Sequence, residues 1–260
     1  RQPLTRETLL ERILERRHAQ KASEPRLQPV AAAAPKQARV VGGTSQLDTL
    51  EAPWACQLYT LTGVCSCSLL DDEFALTAAH CVTHGNVHVN TSLSIEYLVL
   101  AGGAENTFSA EAKPFTGSFV FASRTATRTR LDTEIGGTAF EDAALHDLAL
   151  VRFDTKLKLD GVRTRAIALS QSSGDVQAGL AVRAYGFGLN QTAPGAIAPY
   201  MQRFDGLVSE ASPEQRYFLV QAPSQSVCYG DSGSGVVATL PGASEPTLLG
   251  VTSFGDAFCT

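Results

Sequence analysis

The sequence lacks any long apolar run and any long run of basic residues. No apolar stretch among its 260 residues approaches the roughly 18 residues that span a bilayer, so we expect no membrane span. The formal net charge is −5, and this balance gives no reason to expect a nucleic-acid partner. The chain begins at Arg1 without a signal-peptide pattern, so we expect it to be a processed or trimmed form of a longer precursor.

Long helical patterns are scarce and are confined to the first 39 residues. Apolar residues recur there at helical spacing between positions 9 and 14, before three prolines and an alanine run interrupt the pattern. From Val40 onward, short β segments separated by turn residues are typical of an all-β sandwich or barrel. The predicted strands lie at 55–59, 64–70, 74–77, 97–101, 148–153, 180–185, 201–207, 217–221, 235–238 and 248–253.

The six cysteines form an even set that favours disulfide bonds over a metal site. No second Cys/His pair stands at zinc-finger spacing, so we expect neither a metal nor another cofactor. Buried free thiols are the alternative. Disulfides indicate an oxidising compartment and therefore a secreted protein, exported if it is bacterial. Sequons at Asn90 and Asn190 fit secretion as glycosylation acceptors, although motifs this short also arise by chance.

Three segments carry residue types that nucleophilic catalysis requires. Gly230-Asp231-Ser232-Gly233 places a serine hydroxyl on a turn flanked by glycines. Serine is a poor nucleophile unless a base lies beside it and a third group orients that base. His80 follows a predicted strand, and Asp147 enters an apolar one, where an unpaired carboxylate is costly to bury. A lone histidine is usually structural or exposed, and four others compete for the role: His18, His84, His88 and His146.

These segments, together with Val40-Val41-Gly42-Gly43, resemble those of the chymotrypsin/trypsin-like serine endopeptidases, in that family's order of His, Asp and Ser. The resemblance covers residue 39 to the end of the chain. It implies that Ser232 attacks the scissile carbonyl, that His80 transfers the proton, and that Asp147 orients His80. It also implies an oxyanion hole formed by the backbone N–H groups of Gly230 and Ser232.

The fold that the resemblance implies consists of two six-stranded antiparallel Greek-key β-barrels. We expect the first at 40–165 and the second at 166–260. Family members usually continue with a further strand and a C-terminal helix beyond the position of Thr260. We therefore expect the second barrel to lack both here, through trimming of the sequence, through proteolysis, or because the pocket is unusual and exposed at an open edge.

The resemblance also gives the N-terminal segment a role. Residues 1–39 are expected to form a partly helical propeptide, which a trypsin-like protease removes by cleavage after Arg39. In this family the new α-ammonium, here on Val40, inserts and pairs with the aspartate before the catalytic serine, here Asp231. The intact chain is then a zymogen. The alternative is a flexible tail that contains an arginine by accident.

The family's disulfides match four of the six cysteines. They imply the pairs Cys65–Cys81, at the histidine loop, and Cys228–Cys259, at the specificity pocket. Cys56 and Cys67 remain, on two predicted strands joined by a short loop. We predict a cross-strand bond between them, which the family does not imply.

The specificity pocket is expected to be uncharged. Ser226 stands at the pocket floor by resemblance, and Gly255, in Ser253-Phe254-Gly255, leaves one wall open. The backbone of that segment should pair with substrate as an extended strand. Large apolar or aromatic residues before the scissile bond are expected, with small aliphatic residues as the alternative. Ser234-Gly235 follows Gly233 where the family commonly has Gly-Pro.

The sequence thus predicts a secreted, monomeric serine endopeptidase zymogen that acts on polypeptides. A non-catalytic homologue with a binding or regulatory role is the main alternative. Such homologues usually lose a residue of the triad, whereas His80, Asp147 and Ser232 are all present.

Overall fold

The computed structural model describes residues 48–59, 64–82, 96–105, 118–123, 126–128, 147–189, 200–212 and 217–255. The expected propeptide with Arg39, together with Val40, both sequons and Cys259, lies outside the described residues. Within the described ranges, no helix is long and apolar enough to cross a membrane.

The described residues form thirteen strands and three short 3₁₀ turns, without an α-helix. The all-β expectation is therefore confirmed. The turns lie at Thr49–Glu51, Ala79–Cys81 and Ser173–Asp175. The strands are β1 (Ala55–Tyr59), β2 (Val64–Leu69), β3 (Phe74–Thr77), β4 (Glu96–Ala101), β5 (Ser118–Ser123), β6 (Ala126–Arg128), β7 (Ala149–Arg152), β8 (Ala168–Leu169), β9 (Ala181–Gly186), β10 (Gln202–Ser212), β11 (Tyr217–Gln221), β12 (Gly235–Ala238) and β13 (Thr247–Val251).

The first sheet is antiparallel, with the strand order β5-β4-β1-β2-β3-β7-β6. It curls so that β5 approaches β7. Strand β1 is buried along its whole length because alternate residues point to opposite faces of the sheet and both faces are covered. Cys56 and Leu58 belong to the core of this sheet, whereas Ala55 packs in the layer between the two sheets.

The second sheet has the strand order β11-β10-β9-β12-β13-β8, in which only β8 and β13 are parallel among the described pairings. Its apolar core includes Ala184 from β9, Phe204 from β10 and Val236 from β12. Two curled sheets are the architecture of the chymotrypsin-like double barrel. The first sheet has seven described strands rather than the expected six because β6 pairs with β7 at the sheet edge.

A third apolar cluster joins the two sheets. It contains Trp54, Tyr185, Phe187, Met201 and Leu248. The Trp54 and Tyr185 rings meet edge to face, with centroids 5.9 Å apart, a geometry that aromatic pairs prefer. This packing fixes the loops of one sheet against those of the other.

The ten predicted strands are all present, with ends that differ by a few residues at most except in β10, which continues to Ser212. Strands β5, β6 and β8 are absent from the sequence prediction. Strands β6 and β8 contain three and two residues, and such short segments become strands only by pairing with β7 and β13.

Two predicted disulfides are present. Cys56 and Cys67 are direct cross-strand partners in the β1–β2 ladder, with Cα atoms 4.9 Å apart. Cys65 and Cys81 are also bonded, with Cα atoms 6.1 Å apart. Cys228 is disulfide-bonded too, while its predicted partner lies outside the described residues.

Candidate active site

Two antiparallel strands bring His80 and Asp147 together. Thr77, at the end of β3, is paired with Ala149, at the start of β7. The chain leaves β3 through one 3₁₀ turn that carries His80, and Asp147 stands two residues before β7. Because antiparallel neighbours run in opposite directions, the end of one strand and the start of the other share one sheet edge.

The Asp147 carboxylate accepts three hydrogen bonds. His80 Nδ1 lies 2.6 Å from Oδ2, and the His80 backbone N–H donates to Oδ1 at 2.7 Å. Ser253 Oγ, just beyond β13, donates to Oδ2 at 2.5 Å. An ionised carboxylate only accepts hydrogen bonds, so Nδ1 carries the proton and Nε2 is the acceptor of the neutral imidazole.

Exposure differs sharply between the two partners. The Asp147 side chain is 8% exposed and that of His80 is 48% exposed. Burial by itself raises the pKa of Asp147, but the hydrogen bonds and charge of His80, with the hydrogen bond from Ser253, outweigh burial and hold the pKa below its ordinary value. The carboxylate is therefore ionised at neutral pH, beside an imidazole that water can reach.

The turn that carries Ser232 is fixed to both sheets. Ser66 N–H of β2 donates to Ser232 O at 2.8 Å, and Gly233 N–H donates to Thr252 O at 2.7 Å. Gly230 has a φ of +95°, which strongly favours glycine, and a Cβ there would lie 2.9 Å from Gly188 Cα. Within the described part of the chain, neither Gly230 N–H nor Ser232 N–H donates a hydrogen bond. Both predicted oxyanion donors are available.

Among the described residues, no hydrogen bond joins the His80 and Ser232 side chains. Both residues contact Cys81, whose Sγ is 3.9 Å from His80 Nε2 and 3.7 Å from Ser232 O. Catalytic hydrogen bonds are often long or absent before substrate binds. The structure thus brings the three predicted triad residues to one place, with the histidine–aspartate bond formed.

Ser66 is a site residue that the sequence does not predict. Its side chain is buried, and its Oγ donates to Gly230 O at 2.9 Å while accepting from Phe187 N–H at 3.1 Å. The Ser66 hydroxyl therefore fixes the carbonyl of the peptide bond between Gly230 and Asp231. A serine between two cysteines carries no sequence signal for this role, which depends on β2 lying against the Ser232 turn.

Asp231 is completely buried among backbone groups. Gly188 N–H and Cys228 N–H donate to its two carboxylate oxygens, each at 2.9 Å. A Cβ on Gly186 or Gly188 would overlap this carboxyl group, so both glycines are required for its packing. Burial raises the pKa of Asp231 to about 6, against the lowering effect of the two N–H groups. No cation of the described residues pairs with it.

Val227 packs closely against Gly255, one of the predicted specificity residues. Ser226 is buried, and its Oγ donates to Val227 O at 3.1 Å. A Cβ on Gly255 would lie 2.7 Å from Val227 Cγ2, so Val227 fills the position that Gly255 leaves open. Phe254 is 52% exposed and Tyr229, which the sequence analysis does not single out, is 69% exposed. A large substrate side chain between Val227 and Gly255 requires these segments to move apart.

One cluster has the residue types of a metal site. The ligand atoms of Cys65, His80 and Cys81 all lie within 4.8 Å of one another. The two sulfurs are bonded to each other, however, so neither is a thiolate ligand. The cluster does not fit a metal ion in this state.

One comparison with known proteins covers all of these residues. The family model Trypsin matches residues 40–260. Trypsin Blo t 3 from Blomia tropicalis is 24% identical over 232 residues, which cover 83% of this chain and 76% of that protein. The structure of the scabies mite inactivated protease paralogue S-D1 matches with a TM-score of 0.64 and 21% identity, over 84% of this chain and 87% of that one. The family match begins at Val40, directly after the predicted cleavage site.

Proposed function

Because the chain belongs to the trypsin family, we propose that it is a secreted serine endopeptidase in its zymogen form. One observation carries the proposal: His80 is hydrogen-bonded through Nδ1 to a buried, ionised Asp147, and its Nε2 contacts the same Cys81 sulfur as the Ser232 backbone. The Ser232 turn has two N–H groups without a partner among the described residues. A base, the group that orients it, a nucleophile and oxyanion donors are the parts that acyl transfer needs.

In the proposed reaction, Ser232 Oγ attacks the carbonyl carbon of the scissile peptide bond while His80 Nε2 takes its proton. Asp147 keeps the proton on Nδ1 and stabilises the imidazolium that forms. His80 then gives its proton to the leaving amine as the C–N bond breaks. Water hydrolyses the resulting acyl-enzyme by the same steps in reverse order.

The negative oxygen of the tetrahedral intermediate is bound by Gly230 N–H and Ser232 N–H. One such donor stabilises the transition state by roughly 2.7–4 kcal/mol in enzymes of this type. Ser66 is the proposed positioning residue, since it holds the adjacent Gly230 carbonyl.

Activation is proposed to occur by cleavage after Arg39, which creates an α-ammonium on Val40. Asp231 is the proposed partner because its buried carboxyl group has two N–H donors and no cation among the described residues. Formation of this ion pair orders the Gly230 peptide and the pocket. A trypsin-like protease is the proposed activator, and residues 1–39 are the proposed propeptide.

The proposed substrates are polypeptides with an apolar residue before the scissile bond. Ser226 provides no charge at the proposed pocket floor to attract Arg or Lys. Large apolar or aromatic residues remain the proposal, and they require Val227 to separate from Gly255 when the pocket orders. The Ser253-Phe254-Gly255 backbone is the proposed partner of the extended substrate.

We propose an extracellular or exported location, since disulfides persist in oxidising compartments. A monomer with barrels at 40–165 and 166–260 remains the proposed organisation. The last strand of the first sheet, β7, ends at Arg152, within 40–165, and the first strand of the second sheet, β8, begins at Ala168, within 166–260.

A non-catalytic homologue is the second candidate. The structural relative from the scabies mite is described as an inactivated protease paralogue, although its 21% identity bears on the fold alone. This chain retains all three triad residues and the His80–Asp147 bond, which favours the enzyme.

The experiment that separates the candidates is peptide hydrolysis after cleavage with a trypsin-like protease. A Val-Val-Gly-Gly N-terminus, confirmed by sequencing, shows that activation took place. Hydrolysis of apolar peptide substrates that is lost in both Ser232→Ala and His80→Ala supports the endopeptidase. No hydrolysis by the wild-type chain with this N-terminus supports the non-catalytic homologue.

A further inference from the structure

Gly230 depends on its neighbours for the direction of its N–H, the first of the two proposed oxyanion donors. Its φ is +95°, and a glycine has no Cβ that restricts rotation to one backbone conformation. An oxyanion donor is effective only when it is oriented before the negative charge develops. The groups that bond the two peptide units on either side of the Gly230 Cα therefore decide whether this donor works.

The peptide unit between Tyr229 and Gly230 is held at its carbonyl. Leu189 N–H donates to Tyr229 O at 2.8 Å. In a trans peptide, the C=O and the N–H point in opposite directions. The Gly230 N–H therefore points away from Leu189, and a rotation of the peptide unit that turned this N–H would break the bond to Leu189.

The peptide unit between Gly230 and Asp231 is held at both of its polar groups. Ser66 Oγ donates to Gly230 O at 2.9 Å, and Asp231 N–H donates to Cys228 O at 3.0 Å. The backbone has two soft dihedral angles per residue, φ and ψ. Because a bonded peptide unit stands on each side of the Gly230 Cα, rotation about either angle breaks a hydrogen bond.

One short segment provides the bonds on both sides of Gly230. Phe187 N–H donates to Ser66 Oγ at 3.1 Å, and Leu189 N–H bonds Tyr229 O. A hydroxyl has one proton to donate and also accepts, so Ser66 relays the contact from Phe187 to Gly230 O. The chain directly after β9 thus holds one peptide unit itself and the other through the Ser66 hydroxyl.

Ser66 is rigid enough to transmit this contact. Its relative exposure is 0%, and the cysteines on either side of it, Cys65 and Cys67, are both disulfide-bonded. Its backbone N–H donates to Ser232 O at 2.8 Å, and its carbonyl accepts the Thr77 hydroxyl at 2.8 Å. A hydroxyl on such a backbone has little freedom to follow a moving peptide, so it fixes Gly230 O in place.

We propose that Leu189 and Ser66 are positioning residues of the oxyanion hole. Their bonds to Tyr229 O and Gly230 O fix the two peptide units around Gly230 and so aim its N–H at the oxygen of the tetrahedral intermediate. The inference rests on the proposed function, and it adds what determines the direction of the donor. Neither residue touches the reacting atoms.

The test compares two inhibitors of the cleaved protein whose Val-Val-Gly-Gly N-terminus has been confirmed. One is a peptide aldehyde that ends in an apolar residue. Ser232 Oγ adds to its carbonyl carbon, the hydroxyl proton passes to His80, and the carbonyl oxygen becomes the oxyanion. The other is the peptide alcohol of the same sequence, which fills the same pocket without forming a bond to Ser232. The ratio of the two inhibition constants reports the oxyanion hole separately from the pocket.

Ser66→Ala removes the hydroxyl, and Leu189→Pro removes the N–H. In each variant we expect kcat and the affinity for the aldehyde to fall about tenfold or more. The upper limit is the roughly 10²–10³-fold decrease in kcat that loss of a whole oxyanion donor causes. The inhibition constant of the alcohol and KM should stay within about twofold of wild type. Leu189→Ala, which keeps the backbone N–H, should lose far less than Leu189→Pro.

Ser68→Ala is the matched control for Ser66→Ala. Ser68 lies two residues along β2, on the same face of the strand, and is equally buried, but its Oγ has no hydrogen-bond partner among the described residues. It should therefore leave the inhibitor ratio unchanged. An unchanged ratio in Ser66→Ala, or an equal loss of affinity for both inhibitors, overturns the inference even if Leu189→Pro does not fold. If cleaved wild-type protein neither hydrolyses peptides nor prefers the aldehyde, the proposed function fails, and the inference fails with it.

Discussion

Two buried aspartates, Asp147 and Asp231, differ in what surrounds them. Asp147 accepts hydrogen bonds from His80 and Ser253, and its pKa lies below the ordinary value although burial raises it. Asp231 receives two backbone N–H groups, and burial raises its pKa to about 6. Both accept hydrogen bonds, but among the described residues only Asp147 has a side chain beside it that can become a cation, that of His80.

The difference divides the candidate site into two halves. One contains His80 and Asp147, and the other contains Asp231, the proposed oxyanion donors and the proposed specificity pocket. The histidine–aspartate half is complete in the uncleaved chain. The half that contains the proposed oxyanion donors and specificity pocket has a carboxyl group, Asp231, without a counter-ion among the described residues, and a side chain, Val227, beside Gly255. In the proposed activation, cleavage changes the second half and leaves the first half as it is. The changes below are ordered from the largest expected effect to the smallest.

Asp147→Asn breaks the complete half. The amide nitrogen of Asn donates a hydrogen bond where the Asp147 oxygen accepts one. His80 then accepts at Nδ1 and carries its proton on Nε2, the tautomer that cannot act as the base. We expect kcat/KM of the cleaved protein to fall about 10⁴-fold, the size of this effect in the prototype of the family. Steady-state hydrolysis of an apolar peptide substrate measures it. A loss of less than tenfold in a folded variant contradicts the role of Asp147.

Asp231→Asn tests the half of the site that contains Asp231, because ionisation of this buried carboxyl group lowers the stability of the uncleaved chain. The folded pKa of about 6 lies above the unfolded value near 3.8, so ionisation costs stability as pH rises between these values. The free energy of unfolding of wild type, measured relative to that of the uncleaved variant, should therefore fall by roughly 3 kcal/mol between about pH 4 and pH 7. Urea unfolding in an Arg39→Gln background measures the difference.

The same Asp231→Asn change should have the opposite consequence after cleavage. The Val40 ammonium then lacks its counter-charge, and Ser232 labelling should slow strongly. A stability difference from wild type that stays the same between pH 4 and pH 8 before cleavage, or a variant that is fully reactive after cleavage, contradicts the assignment of Asp231.

Ser253→Ala weakens the complete half without breaking it. The lost hydrogen bond to a charged group corresponds to about 1.5–3 kcal/mol, so we expect a decrease in kcat/KM of roughly tenfold or more. Asp147 stabilises the fold above its unfolded pKa, and this contribution is lost as pH falls through its folded pKa. Since the variant raises that folded pKa, acid unfolding should begin at a higher pH. Ser253→Thr, which retains the hydroxyl, is the matched control.

Val227→Ala tests the narrow pocket and has the smallest expected effect. Removal of the methyl groups that face Gly255 makes room for a larger substrate side chain. We expect the ratio of kcat/KM for Phe over Ala before the scissile bond to rise by up to about tenfold. Val227→Ile should move the ratio in the other direction. Equal ratios in all three proteins show that Val227 does not line the ordered pocket.

Most of the fold follows from local patterns in the sequence. Strands such as β1, with apolar residues between turn signals, were predictable because burial and β-propensity agree there. Strand β8 was not, since its two residues are exposed and become a strand only beside β13. The candidate triad was predictable because its residues lie in segments that resemble those of the family. Ser66 was not, because its hydrogen bond to Gly230 O depends on which backbone groups the fold brings beside it.

The most direct test of the central claim is the rate of fluorophosphonate labelling of Ser232 in one preparation, before and after cleavage after Arg39. The account predicts slow labelling of the uncleaved chain and an increase of orders of magnitude once Val40 is the N-terminus. An Arg39→Gln variant given the same protease treatment should stay slow. Equal rates before and after confirmed cleavage would contradict the claim that one half of the site is completed by activation.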